Sequence, residues 1–92
     1  ADIKGTETYY YKEEDLPPAR IIHEALLKHL KQADKGVRKA RYFVLFHTTM
    51  PAVLIEPAYL SNLEQYNLLL TDDFKNQIVD GVVEGILKYY EK

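Results

Sequence analysis

The chain has 92 residues, enough for one small domain or a piece of a larger one, and 47% of them are apolar, which supplies a core and excludes a disordered tail. Its 12 basic and 14 acidic residues leave a net charge of −2, without the basic excess of a nucleic-acid-binding face. Cysteine is absent, which excludes disulfides, thiolate zinc sites and cysteine nucleophiles. No stretch approaches the roughly 20 apolar residues of a membrane span. No secretory leader pattern opens at Ala1, so export would call for a leader outside these residues.

Residues 1–5 read as a loop that enters a strand from Thr6 to Tyr11, a β-branched and aromatic run. Alternation puts Thr6, Thr8 and Tyr10 on one face and Glu7, Tyr9 and Tyr11 on the other. Asp15-Leu16-Pro17-Pro18 predicts a helix start, with Asp15 or a neighbour as cap and proline in the first turn, where its missing N–H has no partner to lose. The helix is expected to run from about Pro17 to about Ala33, burying Ala19, Ile22, Leu26, Leu30 and Ala33 as one stripe. Gly36 is read as ending this region.

Arg41 to His47, aromatic and weakly alternating, predicts a strand. The apolar run Ala52-Val53-Leu54-Ile55 predicts another, buried on both faces in the manner of a parallel sheet. Asn62 and Gln65 have capping-box spacing and start a short helix to about Leu70. Thr71-Asp72-Asp73 caps a last helix, with Phe74, Ile78, Val82, Ile86 and Tyr89 as its buried stripe. Gly81 and Gly85 lower helix propensity one turn apart, which points to close packing against a neighbour. Alternating helices and strands give an α/β fold.

Glu56 stands out chemically. It ends the apolar run, where a carboxylate is costly unless paired, hydrated or bound, and ligands of open α/β sheets sit beyond strand carboxyl ends. The competing reading is a strand-end glutamate reaching solvent or capping a loop amide. His23 and His29, six apart, lie about 240° apart around a helix and do not share an ion; His47 alone is one ligand, whereas a catalytic zinc takes three. The tyrosines read as edge packing with wet hydroxyls, except Tyr59, which follows Glu56 closely enough to line the same cleft.

The run from Met50 to Asn62, Met-Pro-Ala-Val-Leu-Ile-Glu-Pro-Ala-Tyr-Leu-Ser-Asn, resembles a motif of the zinc-dependent N-acetylmuramoyl-L-alanine amidases of the amidase-3 family. That motif reads Met-Pro-Ala-Val-Leu-Val-Glu, two variable residues, then an aromatic-aliphatic-Ser-Asn end. Gly5 to Tyr10 is similar to the strand that follows the family's last zinc histidine, Gly36 to Leu45 to the segment before the motif, and Gly85 to Tyr90 to the terminal helix. The chain departs from the family at Lys35 and Phe46, where arginine is common, so contacts made by those arginines are in doubt here.

The resemblance implies an α/β fold with a mixed sheet covered by helices, as in the C-terminal half of the three-layer amidase domain. It implies Glu56 as the catalytic carboxylate of a peptidoglycan hydrolase that cleaves the amide between N-acetylmuramic acid and L-alanine. It assigns no metal ligand here: the family's His, Glu and His zinc ligands belong to the N-terminal half, expected before Ala1, so residues 1–92 alone are expected to be inactive. Cell-wall or periplasmic action follows, with peptidoglycan as partner, no nucleic acid and no membrane span. Self-association through exposed sheet edges is expected. The alternative is a non-catalytic amidase-like module that binds peptidoglycan or a partner protein.

Overall fold

A computed structural model describes residues 3–91. The part of the predicted entry loop at Ala1 and Asp2 lies outside the described residues. Three strands, β1 (Thr6–Tyr10), β2 (Asp34–Lys39) and β3 (Leu54–Glu56), form one mixed sheet in the order β2-β1-β3. Four helices accompany it: α1 (Leu16–Leu30), α2 (Phe43–Phe46), α3 (Leu63–Leu69) and α4 (Asp72–Tyr90). β1 and β2 run parallel, with α1 as the crossover such a pair requires, whereas β3 runs antiparallel to β1.

α1 forms where the proline pair and apolar spacing predict, and Ala19, Ile22, Leu26 and Leu30 are buried along one face. It stops three residues earlier than its stripe suggests. Lys31 adopts a left-handed conformation at φ 52°, which ends the helix and leaves Ala33 exposed. Asp15 does not cap α1. Its side chain is fully buried and accepts hydrogen bonds from the backbone N–H groups of Lys12 (2.9 Å), Tyr11 (3.3 Å) and Ala52 (2.8 Å), and from Lys12 Nζ (3.2 Å). Burial pushes its carboxyl up, but the N–H groups of Ala52 and Lys12 and the Lys12 ammonium outweigh that and hold it below the usual carboxylate range. Asp15 thereby ties the end of β1 to the segment that leads into β3.

The middle of the chain differs most from expectation. The strand predicted over Arg41 to His47 is instead the short helix α2, and its apolar side chains are largely outside: Phe43 and Val44 are exposed and only Leu45 is buried. Short apolar runs do not separate helix from strand by periodicity. The strand lies earlier, over polar Asp34–Lys39, where pairing with β1 overrides weak propensity. Gly36, at φ 93°, accompanies a register shift between Thr6 and Thr8 rather than ending the region. β3 is shorter than predicted, antiparallel, at one edge of the described sheet, and half-buried rather than enclosed on both faces. An antiparallel strand exposed on one side tolerates Glu56 within its pairing.

Asn62 caps α3 by accepting from Gln65 N, and Thr71 caps α4 by accepting from Phe74 N. The core cluster joins Ile22, Leu26 and Leu30 of α1 to Ala58 and to Phe74 of α4. A fully buried leucine such as Leu26 contributes about 1.5–3 kcal/mol of transfer free energy. α4 lies along α1, and the predicted reason for its glycines holds. A Cβ on Gly85 would sit 2.7 Å from Ile22 Cα, and one on Gly81 3.0 Å from Leu26 Cδ2. The stripe of α4 is buried at Phe74, half-buried at Ile78, Val82 and Tyr89, and exposed at Ile86.

The Gly85 contact is with backbone and cannot be relieved by a rotamer change. Gly85→Ala is expected to lower unfolding free energy by about 1–3 kcal/mol, more than Gly81→Ala, where the approaches to the Leu26 methyl at 3.0 Å and to Leu26 Cα at 3.1 Å are less severe. Urea denaturation of both variants checks this; a Gly85→Ala chain as stable as the parent contradicts it.

Candidate functional site

Glu56 is the last residue of β3, and the antiparallel register sets it directly opposite Glu7 of β1. Thr8 faces Ile55 and Tyr9 faces Leu54 in the same ladder. Two residues apart on a strand, Glu7 and Tyr9 share a face. The Tyr9 hydroxyl donates to Glu7 Oε1, and the Tyr59 hydroxyl reaches the same oxygen at 2.9 Å. Arg38 Nε, from β2, lies 2.5 Å from Glu7 Oε2. Glu7 is 4% exposed, whereas Glu56 is half-buried and opens into a cavity of about 550 Å³ lined by Tyr9, Tyr42, Leu54, Tyr59 and Leu60.

The loop that carries Tyr59 is held from beneath by two amides. Gln65, 2% exposed, accepts through Oε1 from Gly5 N (3.0 Å), Tyr59 N (3.3 Å) and Gln32 Nε2 (2.9 Å). Its own Nε2 donates to Gln32 Oε1 at 3.1 Å. The Pro57 carbonyl accepts from Thr6 Oγ1 and Gln32 Nε2, each at 3.0 Å. The start of β1, the end of α1 and the loop after β3 are thereby fixed to one another, which sets Glu7 and Glu56 side by side. Gln65 sits at capping-box spacing, but its side chain works here instead of returning to the Asn62 N–H.

Electrostatics follow this geometry. Burial and the neighbouring Glu7 charge raise the Glu56 carboxyl above the usual range, while a hydrogen bond from Tyr9 opposes the rise. Burial, the hydrogen bond to Glu7 and the charges of Glu7 and Glu56 push the Tyr59 hydroxyl up to about 12, against the pull of Arg38. Tyr9 is pushed up by burial and by the same two carboxylates. Both phenols are therefore donors throughout the neutral range.

The histidines lie elsewhere. His23 is buried, with Nδ1 2.8 Å from Thr8 Oγ1 and Nε2 2.8 Å from Asp34 Oδ1. This hydroxyl–imidazole–carboxylate line has the connectivity of a hydrolytic triad, but Thr8 is fully buried and no substrate reaches its oxygen. The line fastens β1, α1 and β2 together. His29 pairs with Glu84 of α4 at 2.9 Å; with Lys28 it holds the Glu84 carboxyl down, to about 2. His47 stacks on Phe43 and Phe46. Among the described residues no group of three or more His, Cys, Asp or Glu side chains is arranged to hold a metal ion.

Sequence reasoning singled out Glu56 and Tyr59, and the structure brings them together with Tyr9. It missed Glu7 and Arg38. The strand alternation already put Glu7 and Tyr9 on one face, but their partners depend on the β1–β3 register and on β2, neither of which was predicted.

Because the fold raises the Glu56 carboxyl, it holds that proton more tightly than the unfolded chain does. This stabilisation is present below the ordinary carboxylate range and is lost as pH rises through the raised value. Glu56→Gln is expected to increase the melting temperature at neutral pH, with the gain shrinking on acidification. A melting temperature lowered at neutral pH, or a pH-independent gain, contradicts the assignment.

Comparison with known proteins adds a lineage to this geometry. The family described as N-acetylmuramoyl-L-alanine amidase (Amidase_3) matches over residues 1–88. An endolysin of Bacillus phage SPP1 is 35% identical over 91 residues, covering 90% of this chain and 34% of the endolysin. The catalytic domain of CwlV, an N-acetylmuramoyl-L-alanine amidase from Bacillus (Paenibacillus) polymyxa var. colistinus, superposes with a TM-score of 0.92 at 36% identity, covering 98% of this chain and 50% of that one. AmiC2 of Nostoc punctiforme, also an N-acetylmuramoyl-L-alanine amidase, gives a TM-score of 0.92 at 32% identity, with 99% and 51% covered. The chain thus spans about half of each solved chain, and less than half of the curated relatives it matches.

Proposed function

This chain belongs to the N-acetylmuramoyl-L-alanine amidase family, and from that premise we propose that it is the part of a peptidoglycan hydrolase that carries the catalytic carboxylate, Glu56. The substrate is the amide that joins the lactyl group of N-acetylmuramic acid to the L-alanine of the stem peptide, and the site of action is the cell wall or periplasm. No described helix is long and apolar enough to cross a membrane. The observation that carries the reading is the placement of Glu56: a half-buried carboxyl at the end of β3, open to a tyrosine-lined cavity, in the midst of the motif that resembles the family's.

Hydrolysis of an amide requires a proton to leave the attacking water and a proton to reach the departing nitrogen. Glu56 performs both transfers in sequence, first accepting at its carboxylate and then donating to the amine. Its burial and the nearby Glu7 charge bring its proton affinity closer to neutrality, which favours that double role. Tyr9 and Tyr59, protonated in the neutral range, donate to Glu7 and orient its carboxylate beside Glu56.

The described residues do not by themselves fit a zinc ion, since they hold no suitable ligand cluster. On the reading that this chain is the C-terminal portion of the catalytic domain, the metal that this chemistry calls for would take its ligands from outside these residues. The outer edges of β2 and β3 lack a hydrogen-bonded neighbour among the described strands, which supports self-association of the isolated chain.

In the complete protein, Glu56→Gln is expected to lower peptidoglycan hydrolysis by about 10²–10⁴-fold, measured by release of stem peptides with free L-alanine amino termini; near-parental hydrolysis rejects the role. The isolated 92-residue chain is expected to release no such peptides, to take up no stoichiometric zinc in calorimetric titration, and to grow in mass with concentration by light scattering. Turnover or a one-to-one zinc isotherm contradicts the division of labour, and a monomer at all concentrations contradicts the pairing of edges.

A further inference from the structure

Glu7 is a buried acidic group that itself carries no proton in the transfers above. Only 4% exposed, it is clamped on both oxygens: Arg38 Nε on Oε2, and the hydroxyls of Tyr9 and Tyr59 on Oε1. Charge-assisted bonds of this kind fix a carboxylate in place and orientation. If Glu7 served only to hold the sheet together, a cross-strand partner of neutral or opposite charge would suit it better, because like charges directly opposite in a ladder destabilise it. The partner in register is Glu56. The arrangement keeps two carboxylates adjacent and neutralises only one of them with a guanidinium.

We propose that Glu7 is a positioning residue for Glu56: held by Arg38, Tyr9 and Tyr59, it keeps a negative charge at a fixed place across the strand pair and so governs when Glu56 takes up and releases its proton. This rests on Glu56 being the proton-carrying group of the proposed hydrolase. The titratable and charged groups around Glu56 are Glu7 and Tyr9 from β1, Arg38 from β2 acting through Glu7, Tyr42 from the segment before α2, and Tyr59 from the loop after β3. Of these, Glu7 favours the protonated form of Glu56, and the Tyr9 hydroxyl favours the ionised form. Arg38 tempers the Glu7 charge from the far side, and its side chain is 61% exposed, so it can be replaced with little effect on packing.

The test is a carboxyl ¹³C NMR titration of the full chain labelled at glutamate, with the Glu56 resonance assigned by its loss in Glu56→Gln. Glu7→Gln is expected to move the Glu56 midpoint to lower pH. Arg38→Gln, which leaves the Glu7 charge uncompensated, is expected to move it to higher pH, and it decides the matter if Glu7→Gln does not fold. Midpoints that stay at the parental value, or that move in the reverse directions, overturn the proposal. In the complete protein the limb of the kcat/KM–pH profile assigned to Glu56 is expected to shift in Glu7→Gln as the NMR midpoint does; a lower rate with an unshifted limb overturns it. The two ideas fail separately. Coupled titration with hydrolysis surviving Glu56→Gln removes the catalytic reading alone, whereas uncoupled titration with hydrolysis lost in Glu56→Gln removes only the role of Glu7.

Discussion

The antiparallel pairing of β1 with β3 is the constraint on which the site depends. It is only three residue pairs long, yet it sets Glu7 against Glu56, and it leaves the second of these facing a cavity. A shift of one residue would turn every side chain of β3 to the other face. Three residue pairs are too few to hold a register by themselves. The register is pinned at both ends of β3, by the Asp15 carboxylate on Ala52 N before the strand and by the Gln32–Gln65 amides on Pro57 and Tyr59 after it. The polar groups that fix it are buried and partnered, and buried polar networks define one arrangement sharply because any other leaves their members unsatisfied.

Around this ladder the fold separates its tasks. Helix packing between α1 and α4, close enough to require glycine at position 85, provides apolar burial on one side. The Thr8–His23–Asp34 line joins strand to helix to strand through both ring nitrogens of His23. Glu56, the carboxyl whose proton affinity is raised, lies at the β1–β3 end. That segregation lets a carboxylate sit against a second carboxylate without loosening the core, because the destabilising pair lies where the structure is cross-braced.

Much of this was legible in the sequence where a residue carries its own local instruction. Pro17 and Pro18 start α1, Asn62 and Thr71 cap α3 and α4, and Gly81 and Gly85 announce a close helix contact. Glu56 was legible because a charge at the end of an apolar run is an anomaly that demands a reason. Features set by pairing were not legible. Asp34–Lys39 has no strand-like pattern, and becomes β2 only because β1 offers it a partner. Asp15 has the sequence position of a cap, but its bonds go to Tyr11, Lys12 and Ala52, the last of them 37 residues away. Glu7 and Arg38 matter only through that same tertiary register, so no periodicity could have revealed them.

On the proposed function, this architecture presents Glu56 to the scissile amide. A crystal structure of the complete protein with a muramyl-peptide fragment bound measures it most directly. The account predicts a Glu56 carboxylate oxygen within about 2.6–3.2 Å of the attacking water or the departing nitrogen, with Glu7 still opposite it across the strand pair. A Glu56 side chain turned out of the cavity, with the amide bound beyond its reach, would contradict it.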